Sequence, residues 1–118
     1  MAYEIGKDEL INLYAPETLK QFSTDVLLAL GATDEEAAII TDGLLTASLW
    51  RHPGQGQGLE KFFRFHRQIK NGGIIPNAPM RWIKEGPSYA LLDAAKGFGY
   101  VSAHRAMARA VEKAKVTG

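Results

Sequence analysis

Between two stretches of helical periodicity stands Arg51-His52-Pro53-Gly54-Gln55-Gly56-Gln57-Gly58, three glycines alternating with two glutamines directly after Arg-His-Pro. This run breaks the amphipathic pattern on either side, so the chain must be organised as helix, loop and helix around it. The loop is also suited to meeting a ligand. Glycine carries no Cβ and accepts positive φ, which lets backbone approach a bound group closely. Backbone N–H groups at the start of the helix that follows would point outward, as anion sites do. At the entrance, His52 supplies a group that titrates near neutral pH and Arg51 a permanently charged planar cation. The plainer reading is a turn, with His52 capping the preceding helix and Arg51 a solvated charge.

With 118 residues, 46% hydrophobic and 23% charged, the chain has the size and composition of one folded domain. A formal net charge of +1 argues against a dedicated nucleic-acid binder, which carries a strong basic excess. The absence of cysteine excludes disulfides, zinc–thiolate sites and a thiol nucleophile. The start has no signal-peptide core and no run approaches a membrane span, so a cytoplasmic protein is expected. The last helical pattern runs into Val116-Thr117-Gly118. A glycine just past a helix turns the chain toward a further element, so a longer protein is expected.

Four helices are predicted, over about 16–30, 33–50, 59–71 and 101–115, with a hairpin over about 80–93. Pro16 suits a first turn, Leu19, Phe22, Val26 and Leu30 recur at helical spacing, and Gly31 closes the helix. Thr33-Asp34-Glu35-Glu36 has the form of a capping box, with Ala37, Ile40, Leu44 and Ala47 as one apolar stripe behind it. In the third helix Leu59, Phe62, Phe63, His66 and Ile69 share a face, so His66 is expected to be packed and hydrogen-bonded. Pro76 and Pro79 make 74–79 extended. The final helix is expected to turn Ala103, Met107, Ala110 and Ala114 inward. The fold class is therefore mainly α with a small β portion.

Several motifs fail on spacing. Gly54-x-Gly56-x-Gly58 follows a helix rather than a strand and has its third glycine one place early for a dinucleotide fingerprint. It also lacks the Gly-Lys-Ser/Thr of a phosphate loop. Gly97-x-Gly99-x-x-Ser102 follows a strand and opens a helix, but Ser102 stands where the third glycine belongs, so it matches the fingerprint poorly. No His, Asp or Glu cluster has metal-ligand spacing, and no serine lies in a nucleophile elbow.

The order of these pieces resembles the N-terminal part of the malate/L-lactate dehydrogenase family, whose fold is not of the Rossmann kind. The resemblance rests on Leu30-Gly31-Ala32 before a capped helix, then the loop, then Lys70-Asn71-Gly72-Gly73-Ile74-Ile75-Pro76-Asn77-Ala78. Leu91-Leu92-Asp93, Gly97-Phe98-Gly99 and Ala106-Met107 leading to Ala110 and Ala114 complete it. It implies the helical N-terminal segment of an α/β fold, with an NAD(P)-binding domain beyond residue 118. It implies an oxidoreductase moving hydride between NAD or NADP and a small 2-oxo or 2-hydroxy acid or a cyclic imine acid. It also implies a homodimer or larger even oligomer, with no nucleic-acid or membrane partner.

The family's loop pattern reads Gly-His-x-Ser-His-Gly, with an arginine three residues after the last glycine. The second histidine donates the proton and the arginine holds the substrate carboxylate. Matched from the preceding helix, His52 takes the first histidine's place and Gln55 the catalytic one. Matched backward from Asn71-Gly72, Gln57 takes the catalytic place and Lys61 the arginine's. A glutamine amide donates a hydrogen bond but delivers no proton near neutral pH. The site residues this implies are His52, Gln55 and Gln57 at the chemistry, with Arg51, Gly54, Gly56, Gly58 and Lys61 around the substrate. His52 becomes the proton donor, and Arg51 the carboxylate clamp with Lys61 as its rival. The other reading of the same residues is a small helical module whose glycine loop binds an anion or peptide without catalysis.

Overall fold

The computed structural model describes residues 13–50 and 61–118. The elements run α1 (Pro16–Ala29), α2 (Asp34–Leu49), α3 (Lys61–Lys70), β1 (Arg81–Gly86), β2 (Tyr89–Asp93) and α4 (Gly99–Thr117). The protein is mainly helical with one two-stranded antiparallel sheet.

Local chemistry sets the helix ends. After α1 the chain turns at Gly31, at φ 92°. The Gly31 N–H donates to Leu28 O and the Ala32 N–H to Leu27 O. These paired bonds satisfy the last carbonyls of the helix and need a residue at positive φ, where glycine has no Cβ to clash. Two residues later Thr33 caps α2: its hydroxyl accepts from the Glu36 N–H, and the Glu36 carboxylate accepts from the Thr33 N–H. The end of α3 repeats the α1 solution at Gly72, with Gly73 N–H donating to Gln68 O and Gly72 N–H to Ile69 O.

The core lies where α1 and α2 meet α3 and the start of α4. Leu27, Ala37, Ile40, Leu44, Phe62, Phe65, Phe98 and Val101 are buried together. The buried centre of α1 is Ser23 and Leu27, and Phe22 stays half-exposed at the edge. Edge-to-face aromatic contacts run through this core, from Phe22 to Phe62, Phe62 to Phe65, and Phe65 to both Phe98 and Tyr100. Each such pair adds to simple burial because a ring's positive edge meets a negative face.

Three expectations are corrected. The inward stripe of α3 is Phe62, Phe65 and Ile69, while Phe63 and His66 face solvent. Three aromatics in four residues let a helix satisfy its core in more than one phase, and the phase taken leaves His66 outside. The segment after α3 is not simply extended: Pro76-Asn77 is a turn, with Asn77 at φ 52°. Asparagine tolerates this left-handed region better than most residues. Finally, α4 begins at Gly99, and Ala103, Met107, Ala110 and Ala114 are exposed. Its inner face instead carries Val101, Arg105, Arg109 and Lys113.

The reason lies in the hairpin. Arg109 stacks on Trp82, its guanidinium carbon 5.1 Å from the ring centroid. Arg109 and Lys113 both pair with Glu85, at 3.6 Å and 3.3 Å, and the Lys113 ammonium also donates to Gly86 O at 2.7 Å. Long cationic side chains lay apolar stems across the sheet while their charges meet Glu85. The strands pair from Arg81 with Asp93 to Gly86 with Tyr89, with an irregularity between Trp82 and Lys84.

Candidate functional site

Lys61 opens α3, directly after the glycine loop in sequence, and the loop itself lies outside the described residues. Arg51, His52, Gly54, Gln55, Gly56, Gln57 and Gly58 therefore fall where no geometry is described. Of the expected site residues, Lys61 alone is among the described ones.

Its surroundings are specific. The Lys61 ammonium donates to the Tyr100 hydroxyl at 2.8 Å across 39 residues of sequence, and lies 5.4 Å from the centre of the same ring. The two side chains stand at one end of an open cleft of about 480 Å³ between α3 and the first turns of α4. Lys61, Arg64, Phe65 and Gln68 line its α3 side, Gly99, Tyr100 and Ala103 its α4 side, and Ile74 its floor. Lys61, Arg64 and Gln68 come to the same wall because they are three and four residues apart on one helix. Two cationic side chains, Lys61 and Arg64, are among the lining residues. Such a cleft attracts anions, since low-dielectric walls strengthen the field of like charges gathered on one side.

Local sequence explains how α4 delivers Tyr100. Phe98 is fully buried at the N-cap of α4 and anchors the helix start in the core. Gly97 precedes it where a Cβ would come within 3.0 Å of both Ala78 Cβ and the Ala94 carbonyl oxygen. At Gly97 the missing side chain allows close packing. The reversal before it is tight, with Ala95 and Lys96 both at positive φ and the Ala95 N–H donating to the Asp93 carboxylate.

Tyr100 and Arg64 did not emerge from the sequence alone. Arg64 had a legible signal, because it lies one helical turn after Lys61 on the same face. Tyr100 had none: its role rests on a contact between helices that no local pattern encodes. Among the described residues no group of three His, Cys, Asp or Glu side chains could hold a metal ion, and no helix is long and apolar enough to cross a membrane.

Known proteins share this fold. A malate dehydrogenase of Pyrococcus abyssi is 40% identical over 114 residues, covering 97% of this chain and 28% of that protein. An L-sulfolactate dehydrogenase of Methanocaldococcus jannaschii is 34% identical over 103 residues, 87% of this chain and 29% of its own length. Among solved structures, malate dehydrogenase from Pyrococcus horikoshii superposes with a TM-score of 0.79 at 38% identity, covering 87% of this chain and 29% of that one. Sulfolactate dehydrogenase from Methanocaldococcus jannaschii gives 0.80 at 33% identity, with the same coverage. The chain thus spans less than a third of the length of these relatives. The family profile described as malate/L-lactate dehydrogenase matches residues 14–118. By profile, sequence and fold together, the chain belongs to the malate/L-lactate dehydrogenase family.

Proposed function

We propose that the protein containing this chain is an NAD(P)-dependent oxidoreductase that interconverts a small 2-oxo acid and its 2-hydroxy acid, or acts on a cyclic imine acid. The observation that carries this reading is the kinship of the chain to malate, sulfolactate and hydroxycarboxylate dehydrogenases, together with a cleft lined by Lys61 and Arg64. The reaction needs a cation for the substrate carboxylate and a proton for the developing alkoxide or amine. Lys61 holds the carboxylate, with Arg51 the alternative clamp. His52 supplies the proton on reduction and takes it back on oxidation. Gln55 and Gln57 orient the substrate through amide hydrogen bonds, and Gly54, Gly56 and Gly58 let backbone N–H groups approach it.

The Gly97 turn before α4 is a packing contact rather than a bare backbone approach. A Cβ at Gly97 would meet Met80, Ala78 and the Ala94 carbonyl, so the backbone at that position is not bare. The reading therefore assigns the cofactor to residues outside those described, in a domain following residue 118. It further assigns a cytoplasmic homodimer or larger even oligomer. The test is turnover of 2-oxo acids by the full-length protein with NADH and with NADPH. His52→Gln should lower turnover by about 10²–10⁴-fold, the range of a lost general acid. Lys61→Met should raise KM by about tenfold or more while leaving kcat nearly unchanged, as loss of uniform substrate binding does. A folded, full-length protein that turns over neither 2-oxo acids nor cyclic imine acids with either cofactor would refute the reading.

A further inference from the structure

A lysine is a flexible clamp. Its ammonium is a point charge on a four-carbon stem, without the rigid fork that orients a guanidinium against a carboxylate. Lys61 nevertheless has a defined place, because the Tyr100 hydroxyl accepts a 2.8 Å hydrogen bond from its ammonium.

Tyr100 has little freedom to move with it. Its ring stands edge-on to Phe65, 6.3 Å between centroids at 89°. On another side it lies against Gly43 of α2, where a Cβ would come to 3.1 Å and 3.2 Å from two ring carbons. Two residues before it, fully buried Phe98 pins the start of α4. Through Tyr100 the ammonium at the start of α3 is referenced to α2 and α4. Holding a rotamer-rich side chain before the ligand arrives lowers the entropy lost on binding.

We propose that Tyr100 is a positioning residue for Lys61, holding the ammonium at the cleft so that an anionic substrate group meets a cation already in place. The proposal rests on the reading that Lys61 receives the substrate carboxylate.

Oxalate, a small planar carboxylate, is the probe. Its Kd is measured by titration calorimetry on the full-length protein with NADH present, for wild type, Lys61→Met, Tyr100→Phe and the double variant. Phenylalanine keeps the ring and its packing and removes only the hydroxyl, so thermal stability should be unchanged. Lys61→Met should weaken oxalate by about tenfold or more and Tyr100→Phe by about three- to tenfold, the reach of one partly exposed hydrogen bond to a charge. The double variant should bind no more weakly than Lys61→Met alone, because the hydroxyl acts only through the ammonium. In turnover, Tyr100→Phe should raise KM by the same factor with kcat within about twofold. If Tyr100→Phe binds oxalate as wild type does, or if the two losses add, the positioning role is overturned while the clamp stands. If wild type binds no oxalate, or Lys61→Met leaves its affinity unchanged, the clamp reading fails and this inference fails with it.

Discussion

Glu36 is 3% exposed and makes no ion pair among the described residues, yet it joins two distant parts of the chain. One carboxylate oxygen accepts from the Thr33 N–H at 3.0 Å. Both oxygens accept from the Asn77 N–H, at 2.9 Å and 3.1 Å, which ties the Pro76-Asn77 turn to the start of α2. A buried carboxylate is tolerated only when hydrogen bonds replace the water it has lost, and here backbone donors do so. Glu36→Ala should destabilise the fold by about 2–4 kcal/mol, since the cap is lost and two N–H groups lose their acceptor. Thermal denaturation measures this, and an unchanged midpoint would contradict it. Thr41 is the opposite case. It is 1% exposed, and its hydroxyl has no hydrogen-bond partner among the described residues, as is also true of Ser23. Thr41→Val keeps the shape and removes the unmet group, so it should stabilise by about 1 kcal/mol. A loss of stability would mean that the hydroxyl has a partner outside the described residues.

At the scale of elements, α2 organises the molecule. Its inner stripe, Ala37, Ile40, Thr41 and Leu44, packs into the shared core. Leu44→Asp would bury a carboxylate with no donor arranged for it, costing several kcal/mol, roughly the stability of a small domain. Loss of soluble, helical protein by circular dichroism is the expected outcome, and a variant melting like wild type would show that this face is not core. This helix was legible because its signals are local: Thr33 and Glu36 cap each other across three residues, and Gly31 ends the helix before them. The inner face of α4 was not legible, for a non-local reason. Ala103, Met107, Ala110 and Ala114 form one acceptable stripe, whereas Arg105, Arg109 and Lys113 look like a solvated face. The choice falls to the second because β1 presents Trp82 and Glu85 to it, and nothing within the helix records that. The candidate site divides in the same way. Lys61 was singled out by the loop pattern, whereas its hold on Tyr100 depends on how α3 and α4 cross.

At the scale of the whole molecule, apolar surface and anchoring do not coincide. Met107 and Val111 on α4, Leu49 and Trp50 at the end of α2, and Phe63 on α3 are large side chains facing outward. The polar clamp to the hairpin fixes α4 from one side and leaves these apolar atoms on others. The proposed function divides substrate-binding and cofactor-binding roles in the same manner. The cleft between α3 and α4 gathers Lys61 and Arg64, while Gly97 before α4 is closely packed. Dinucleotide sites rely on backbone N–H groups reached over bare glycine, and at Gly97 that space is taken by Met80, Ala78 and the Ala94 carbonyl. A doubly cationic cleft still attracts phosphate weakly, and added salt screens that attraction over a length of about 8 Å at physiological ionic strength. The isolated 118-residue chain should therefore bind NADH and NADPH only weakly and in a salt-sensitive way, while the full-length protein binds one of them tightly and with little dependence on salt. Titration calorimetry at low and at physiological salt separates the two modes. Tight, salt-independent binding to the isolated chain would place a dinucleotide site within these 118 residues, and the division of roles between this segment and the rest of the protein would have to be abandoned.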